Sequence, residues 1–526
     1  MKRVFAVLLA CLLLAGCASD ASETPKASET TPNGEQNALV STGIDYKSRF
    51  GGETRIRLSD EGVTWETPHG VSSDAVTLSH DIIYYEDRAA YDSGNPYGEG
   101  TASDRHSAEE AAAHTVINIT APGAYRVTGK LSAGQIRVDL GKDAYDDPDA
   151  VVELILDNAD ITCTVAPAIL FLNVYECDGD WEENTATAEV DTREAGANLI
   201  LAENSENAVN GSYVAKVYKD KDGKKKLWKQ DGAVYSYMSM NVYGPGSLQL
   251  TAENEGLDTE LHLTVCGGNI TILAQNDGIN TNEDGVSVTT VNGGCLRIVA
   301  GLGAEGDGID SNGYLVINGG TVISAAKPAS DSGLDSDLGS YIHGGTVIAL
   351  GASMDWAESD SKQVTMNLQF SQHQNGAIRI VDTQGKEVFA FDPALDEVLS
   401  NHRRTYQGVI LSCPDFQVGD RYEVFVGGQQ MMYTSTDVMG HGGQRPGGQR
   451  PGDGQKPGGL DGKKPEGDMP PMSSMPEGEM PGGDWGSRGD RDPMGGFGQN
   501  PTGEGNTVFY MQDKVNFFSG LTAAGK

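Results

Sequence analysis

Four copies of a short acidic phrase stand in the middle of the chain. They read Asn254-Glu255-Gly256-Leu257-Asp258, Asn276-Asp277-Gly278-Ile279-Asn280, Gly306-Asp307-Gly308-Ile309-Asp310 and Asp331-Ser332-Gly333-Leu334-Asp335. Aligned, the copies give three polar ladders. The first is Glu255, Asp277, Asp307, Ser332; the second is Asp258, Asn280, Asp310, Asp335; the third is Glu260, Asn282, Asn312, Asp337. Oxygen donors repeated in this way suit a hard divalent cation. Copies stacked one strand spacing apart, about 4.7–4.9 Å, would set bare carboxylates against one another. Calcium removes that conflict: its oxygen ligands sit at roughly 2.3–2.6 Å, so two ligands facing across it span about 5 Å. The expected ligands of Ca2+ are Glu255, Asp258, Asp277, Asn280, Asp307, Asp310, Asp331, Asp335 and Asp337. The alternative is that these are solvated turn residues, because Asn, Asp and Gly favour turns in any case.

The elements that must hold the ladders follow from a second phrase. Gly-Gly pairs at 267–268, 293–294, 319–320 and 344–345 recur at intervals of 26, 26 and 25 residues. Each opens a short β-branched strand, such as Asn269-Ile270-Thr271-Ile272 or Thr321-Val322-Ile323. Strands this short, bounded by glycine and repeated at this period, predict an all-β parallel β-helix, a solenoid, with Leu257, Ile279, Ile309 and Leu334 as an inward apolar ladder. Asn292 and Asn318 are expected to form an amide ladder that His343 caps. Short alternating strands between about 54 and 140, and Val151 to Thr162, extend the same construction. Loops inserted between coils are expected around 84–113 and 176–193, and a charged hairpin tip at 219–229.

The chain of 526 residues carries a formal charge of -37. Met1-Lys2-Arg3 and the apolar run Val4 to Ala15 read as a secretory signal. Leu14-Ala15-Gly16-Cys17 looks like a bacterial lipoprotein box, with Cys17 lipidated and the protein held to the outside of the cell membrane. Such an acidic surface argues against phosphate-mediated binding of nucleic acid. Direct binding of an acidic polysaccharide would also be opposed unless bound cations reverse the charge locally. The five cysteines beyond the signal region (Cys163, Cys177, Cys266, Cys295 and Cys413) have no zinc-ligand spacing, and no disulfide is expected.

The expected organisation is a signal peptide at 1–16, a polar tether at 17–45 and the β-helix at 46–361. A small C-terminal β cap follows at 362–435, then a Gly/Pro/Met-rich segment at 436–505 that cannot bury a core. A terminal strand at 506–526 returns to the cap. Between Asp231 and Asp360 the only Lys or Arg residues are Arg297 and Lys327.

Several phrases resemble the carbohydrate-binding β-helix family of clostridial surface proteins, which is similar to pectate lyases in fold. They are Gly306-Asp307-Gly308-Ile309-Asp310-Ser311-Asn312-Gly313, Val316-Ile317-Asn318-Gly319-Gly320-Thr321-Val322, Gly123-Ala124-Tyr125-Arg126-Val127-Thr128-Gly129 and Phe517-Phe518-Ser519-Gly520. The resemblance implies a right-handed parallel β-helix that binds calcium and recognises cellulose or acidic sugars such as polygalacturonate. The expected function is calcium-dependent polysaccharide binding at the cell surface, without catalysis. One alternative is a calcium-dependent pectate lyase, for which Lys327 is the best candidate base. Another is a purely structural or adhesive solenoid.

Overall fold

The computed structural model describes residues 46–70, 72–85, 100–178, 185–218, 226–352, 354–438 and 505–525. The lipoprotein box with Cys17, the tether, the tip at 219–225 and most of the Gly/Pro/Met-rich segment lie outside the described residues. The described chain is mostly β, with two α-helices of five and four residues, Ala108–Ala112 and Leu399–His402. Among the described residues no helix is long and apolar enough to cross a membrane.

Three parallel ladders organise residues 123 to 351. The chain visits them in a constant order, illustrated by the strands Glu255–Thr259, Leu263–Val265 and Asn269–Ala274. The next pass is Ile279–Thr281, Val288–Val291 and Cys295–Val299, and the one after is Ile309–Ser311, Tyr314–Ile317 and Thr321–Ala325. Each strand pairs in parallel with its counterpart one pass later. The side-chain period of a strand then sends alternate residues inward and outward on every pass.

On the first ladder the inward position is Ile136, Ile169, Val234, Leu257, Ile279, Ile309 and Leu334 in register. Every one of these is fully buried, as the sequence predicts for its last four members. Two residues on, the inward position changes character from Phe171 to Ser236, Thr259, Thr281 and Ser311. A buried hydroxyl must find a partner, and each does. Ser236 Oγ donates to Met238 O at 2.7 Å, Thr259 Oγ1 to Leu261 O at 2.9 Å and Ser311 Oγ to Tyr314 O at 2.9 Å. Thr281 and Ser311 hydroxyls meet at 2.9 Å. These bonds fix the corner between the first and second ladders.

The glycines of the acidic phrase are required by close approach. A Cβ on Gly256 would stand 2.5 Å from Ile272 Cγ2, and one on Gly308 would run into Ser324 Oγ and the Gly333 carbonyl.

Beyond residue 351 the pairing turns largely antiparallel. Tyr406–Ser412 pairs with both Thr346–Gly351 and Thr365–Gln374, and the terminal strand Val515–Ala523 runs parallel to Thr365–Gln374. A second apolar cluster, including Val299, Ile323, Leu350, Phe370, Tyr406 and Phe416, seats these strands against outward residues of the third ladder. The antiparallel hairpin of Val214–Tyr218 and Lys226–Gln230 projects between two passes of the parallel region.

Candidate functional site

The acidic phrase places Asp277 and Asp307 just before their first-ladder strands and Glu255 at the first position of its own, with Asp258 and Asp310 on the outward face. Asp258, Asn280 and Asp310 are direct register partners, and the Ile309–Leu334 bridge puts Asp335 next in line. Although outward, Asp258, Asn280, Asp310 and Asp335 are all at most 4% exposed. Glu255, Asp277 and Asp307 are buried as well.

Backbone hydrogen bonds tie the first polar ladder together. Asp307 N–H donates to Asp277 Oδ1 at 2.6 Å, and Ser332 N–H donates to Asp307 Oδ1 at 2.6 Å. Each carboxylate therefore holds the amide of the following pass, and charge accumulates along the ladder. Burial, followed by the charges of Asp310, Asp307 and Glu255, holds the Asp277 carboxyl well above the ordinary carboxylate range, against the opposing pull of the Asp307 amide.

The second and third ladders dilute the charge with amides. Asn280 separates Asp258 from Asp310, and Asn282 Nδ2 donates to Asp258 Oδ1. Asn312 Nδ2 donates to Asn282 O at 2.7 Å and to Asp284 Oδ1 at 3.2 Å. Glu260 accepts the hydroxyl of Tyr235, which is the register partner of Asp258 one pass earlier.

The candidate residues divide in three. Glu255, Asp258, Asp277, Asn280, Asp307, Asp310 and Asp335 share one buried stripe. Asp331 is half-buried and stands one residue off the ladder, accepting Gly306 N–H at 2.8 Å; Asp337 is exposed. Lys327 is apart, with its ammonium donating to the Gly303 carbonyl.

Two oxygens in the stripe bear on a cation. Glu255 Oε2 and Asn280 Oδ1 are buried and accept no hydrogen bond from the chain. A buried acceptor left unsatisfied costs about 1–3 kcal/mol, and a hard cation would satisfy it. Among the described residues no three His, Cys, Asp or Glu side chains converge on one point in metal-ligand geometry. Ligation here would therefore combine carboxylate pairs with amide and backbone carbonyl oxygens, a donor mixture calcium accepts.

Two features lack a signal in the sequence. Glu176, in the excursion after the strand Ile169–Asn173, is buried; it accepts Ser239 N–H at 2.6 Å and Ser239 Oγ–H at 2.8 Å. Burial raises its carboxyl to about 7, against the pull of these donors. His262 lies close by, 3.9 Å from Asp178, and burial lowers it to about 4. The amide ladder is present as expected, with Asn318 Nδ2 donating to Asn292 Oδ1 at 2.9 Å. His343 takes the next position, but its ring packs beside Tyr341 at 5.7 Å.

Comparison with known proteins places this chain in a family. A family model for carbohydrate-binding domain-containing proteins matches residues 113–382, just over half of the chain. A relative described in the same words from Acetivibrio thermocellus is 30% identical over 159 residues, which is 30% of this chain and 45% of the relative. The chain thus spans under half of that relative's length. A solved structure of a polysaccharide lyase-like protein from C. thermocellum, a gadolinium derivative, aligns with a TM-score of 0.32 and 22% identity. It covers 56% of this chain and 93% of the other. On the match across residues 113–382, the chain belongs to the family of carbohydrate-binding domain-containing proteins.

Proposed function

We propose that this protein is a calcium-dependent polysaccharide-binding protein built on a right-handed parallel β-helix and anchored to the outside of the cell through a lipid on Cys17. The constant order in which the chain visits three parallel ladders supports the β-helix. The observation that carries the calcium reading is the buried stripe in which Glu255 Oε2 and Asn280 Oδ1 lack hydrogen-bond donors. Calcium in the stripe would neutralise neighbouring passes. Ions near the exposed Asp337 would offer positive charge to uronate carboxylates on an otherwise acidic surface. The lyase alternative needs a base free to take a proton, whereas the Lys327 ammonium is engaged by the Gly303 carbonyl.

The test uses the full chain, stripped with chelator and incubated with polygalacturonate in calcium or in sodium chloride of equal ionic strength. Retention only in calcium, with no rise in unsaturated product, is expected. Retention that survives chelation removes the calcium bridge. A calcium-dependent rise in product that Lys327→Ala abolishes establishes the lyase.

A further inference from the structure

We propose that the outer side of the cap's antiparallel sheet is a docking surface for this chain's own acidic stretch, Pro465 to Trp485. This surface is separate from the acidic stripe and owes nothing to the calcium reading.

Ile378–Asp382, Glu387–Phe391, Arg421–Val426 and Phe509–Tyr510 form that sheet. Ile378, Ile380, Tyr422, Val424 and Phe509 belong to the apolar cluster beneath it. The alternation of a strand then sends Arg379, Arg421, Phe425 and Tyr510 to the other side. Arg379 is the register partner of Phe425, and Arg421 of Tyr510. Each guanidinium lies over its partner's ring, 4.6 Å and 4.4 Å from the centroid. Phe425 is half-buried, and the other three are exposed.

In a chain with 75 acidic against 38 basic side chains, a guanidinium is expected to find a carboxylate. Arg126 pairs with Glu53 and Asp157, Arg193 with Asp191, and Arg297 with Asp396. Among the described residues Arg379 and Arg421 have only their rings. Glu423 stands on the same side, between Arg421 and Phe425, and pairs with neither. A stacked guanidinium still has five N–H donors to offer a carboxylate.

Charge and tethering select the occupant. Between Pro465 and Trp485 stand Glu466, Asp468, Glu477, Glu479 and Asp484, with no Lys or Arg. The stretch before it, 441–464, is the opposite, with five Lys or Arg against two Asp. The acidic stretch also carries Met469, Met472, Met475 and Met480, and thioethers pack well at the edges of aromatic rings. The chain leaves the folded part at Val438 and is back at Asn506, four residues before Tyr510 on the docking side itself. The 26 residues from Asp484 to Tyr510 can span about 85 Å, whereas Arg421 to Phe425 covers about 13 Å. Tethering at both ends gives an effective concentration on the order of millimolar, at which weak exposed contacts suffice.

The experiment is timed digestion of the full chain with a glutamyl endopeptidase, read by mass spectrometry at Glu466, Glu477 and Glu479. Glu35 in the tether is the internal reference. In about 0.02 M salt, cutting relative to Glu35 should be about tenfold slower in the wild type than in Arg379→Gln/Arg421→Gln. In about 1 M salt, where the screening length is about 3 Å, the two should be cut alike. Both arginines are exposed, so the variant should melt like the wild type. Equal rates at low salt in folded proteins overturn the proposal. So does protection that grows with protein concentration, which would give the surface to a second copy, or protection that requires phosphatidylglycerol vesicles, which would give it to anionic lipid. Should the variant fail to fold, the wild type alone decides: relative rates that ignore salt overturn the docking.

Discussion

Replacing Asp307 by Asn should stabilise the protein in chelator and destabilise it in calcium. The amide oxygen of Asn can still accept the Ser332 N–H now bonded at 2.6 Å, so the substitution removes charge and little else. Two unit charges one pass apart, at about 5 Å and an effective dielectric constant of about 20, repel by about 3 kcal/mol. Asp277 feels that charge, as its raised carboxyl records. Without calcium, at pH 8, Asp307→Asn should therefore gain about 1–3 kcal/mol. With calcium the same change removes a ligand. A protein saturated at about 100 times its dissociation constant draws about 2.7 kcal/mol from one ion, and most of that should go. Denaturant unfolding in chelator and in millimolar calcium measures both arms. Losses of equal sign and size in the two conditions would refute the reasoning, because they would mean that Asp307 serves only as a backbone acceptor.

Glu176→Gln should flatten part of the pH dependence of stability. The folded carboxyl titrates at about 7, above its ordinary 4.5. The buried protonated form thus contributes stability that is fully present below about pH 4.5 and is lost as pH rises to about 7. The difference amounts to about 3 kcal/mol. Unfolding at pH 5 and pH 8 should show that loss in the wild type in excess of the variant, and parallel losses would contradict it. Gly308→Ala should cost about 3 kcal/mol or more, because the added methyl meets Ser324 and the Gly333 carbonyl. Gly51→Ala, with nothing within 4 Å, is the matched control and should melt like the wild type.

The parallel core was legible because its grammar is local. Leu257, Ile279, Ile309 and Leu334 each follow a glycine and precede an oxygen donor, so the alignment of phrases is the alignment of strands. The register confirms it even though the spacing between copies varies as loops lengthen. Tyr235 was not legible by the same rule. Its segment, Gly232-Ala233-Val234-Tyr235-Ser236, keeps the inward Val234, but Gly232 stands at the Glu255 position and Ala233 at the Gly256 position, and the carboxylates are missing, so nothing marks it as the preceding pass. The inward hydroxyls from Ser236 to Ser311 read as ordinary turn residues until their partners are seen. Glu176 sits in an excursion without repeats, and its burial depends on Ser239, which lies 63 residues away. Tyr314 and Tyr341 belong to different passes, and only register sets them side by side.

The junction at Tyr433 and Asn506 bears on how this chain can change over time. Each residue donates its N–H to the other's carbonyl at 2.9 Å, and Ser435–Val438 pairs antiparallel with Val515–Ala523. Everything between therefore departs from and returns to one clasp on the folded part. Doubling the length of such a closed excursion costs only about 0.6 kcal/mol in closure entropy. The clasp thus acts as a splice port. Sequence can be lengthened, trimmed or exchanged for a whole module between Val438 and Asn506 while the strands on either side keep their partners.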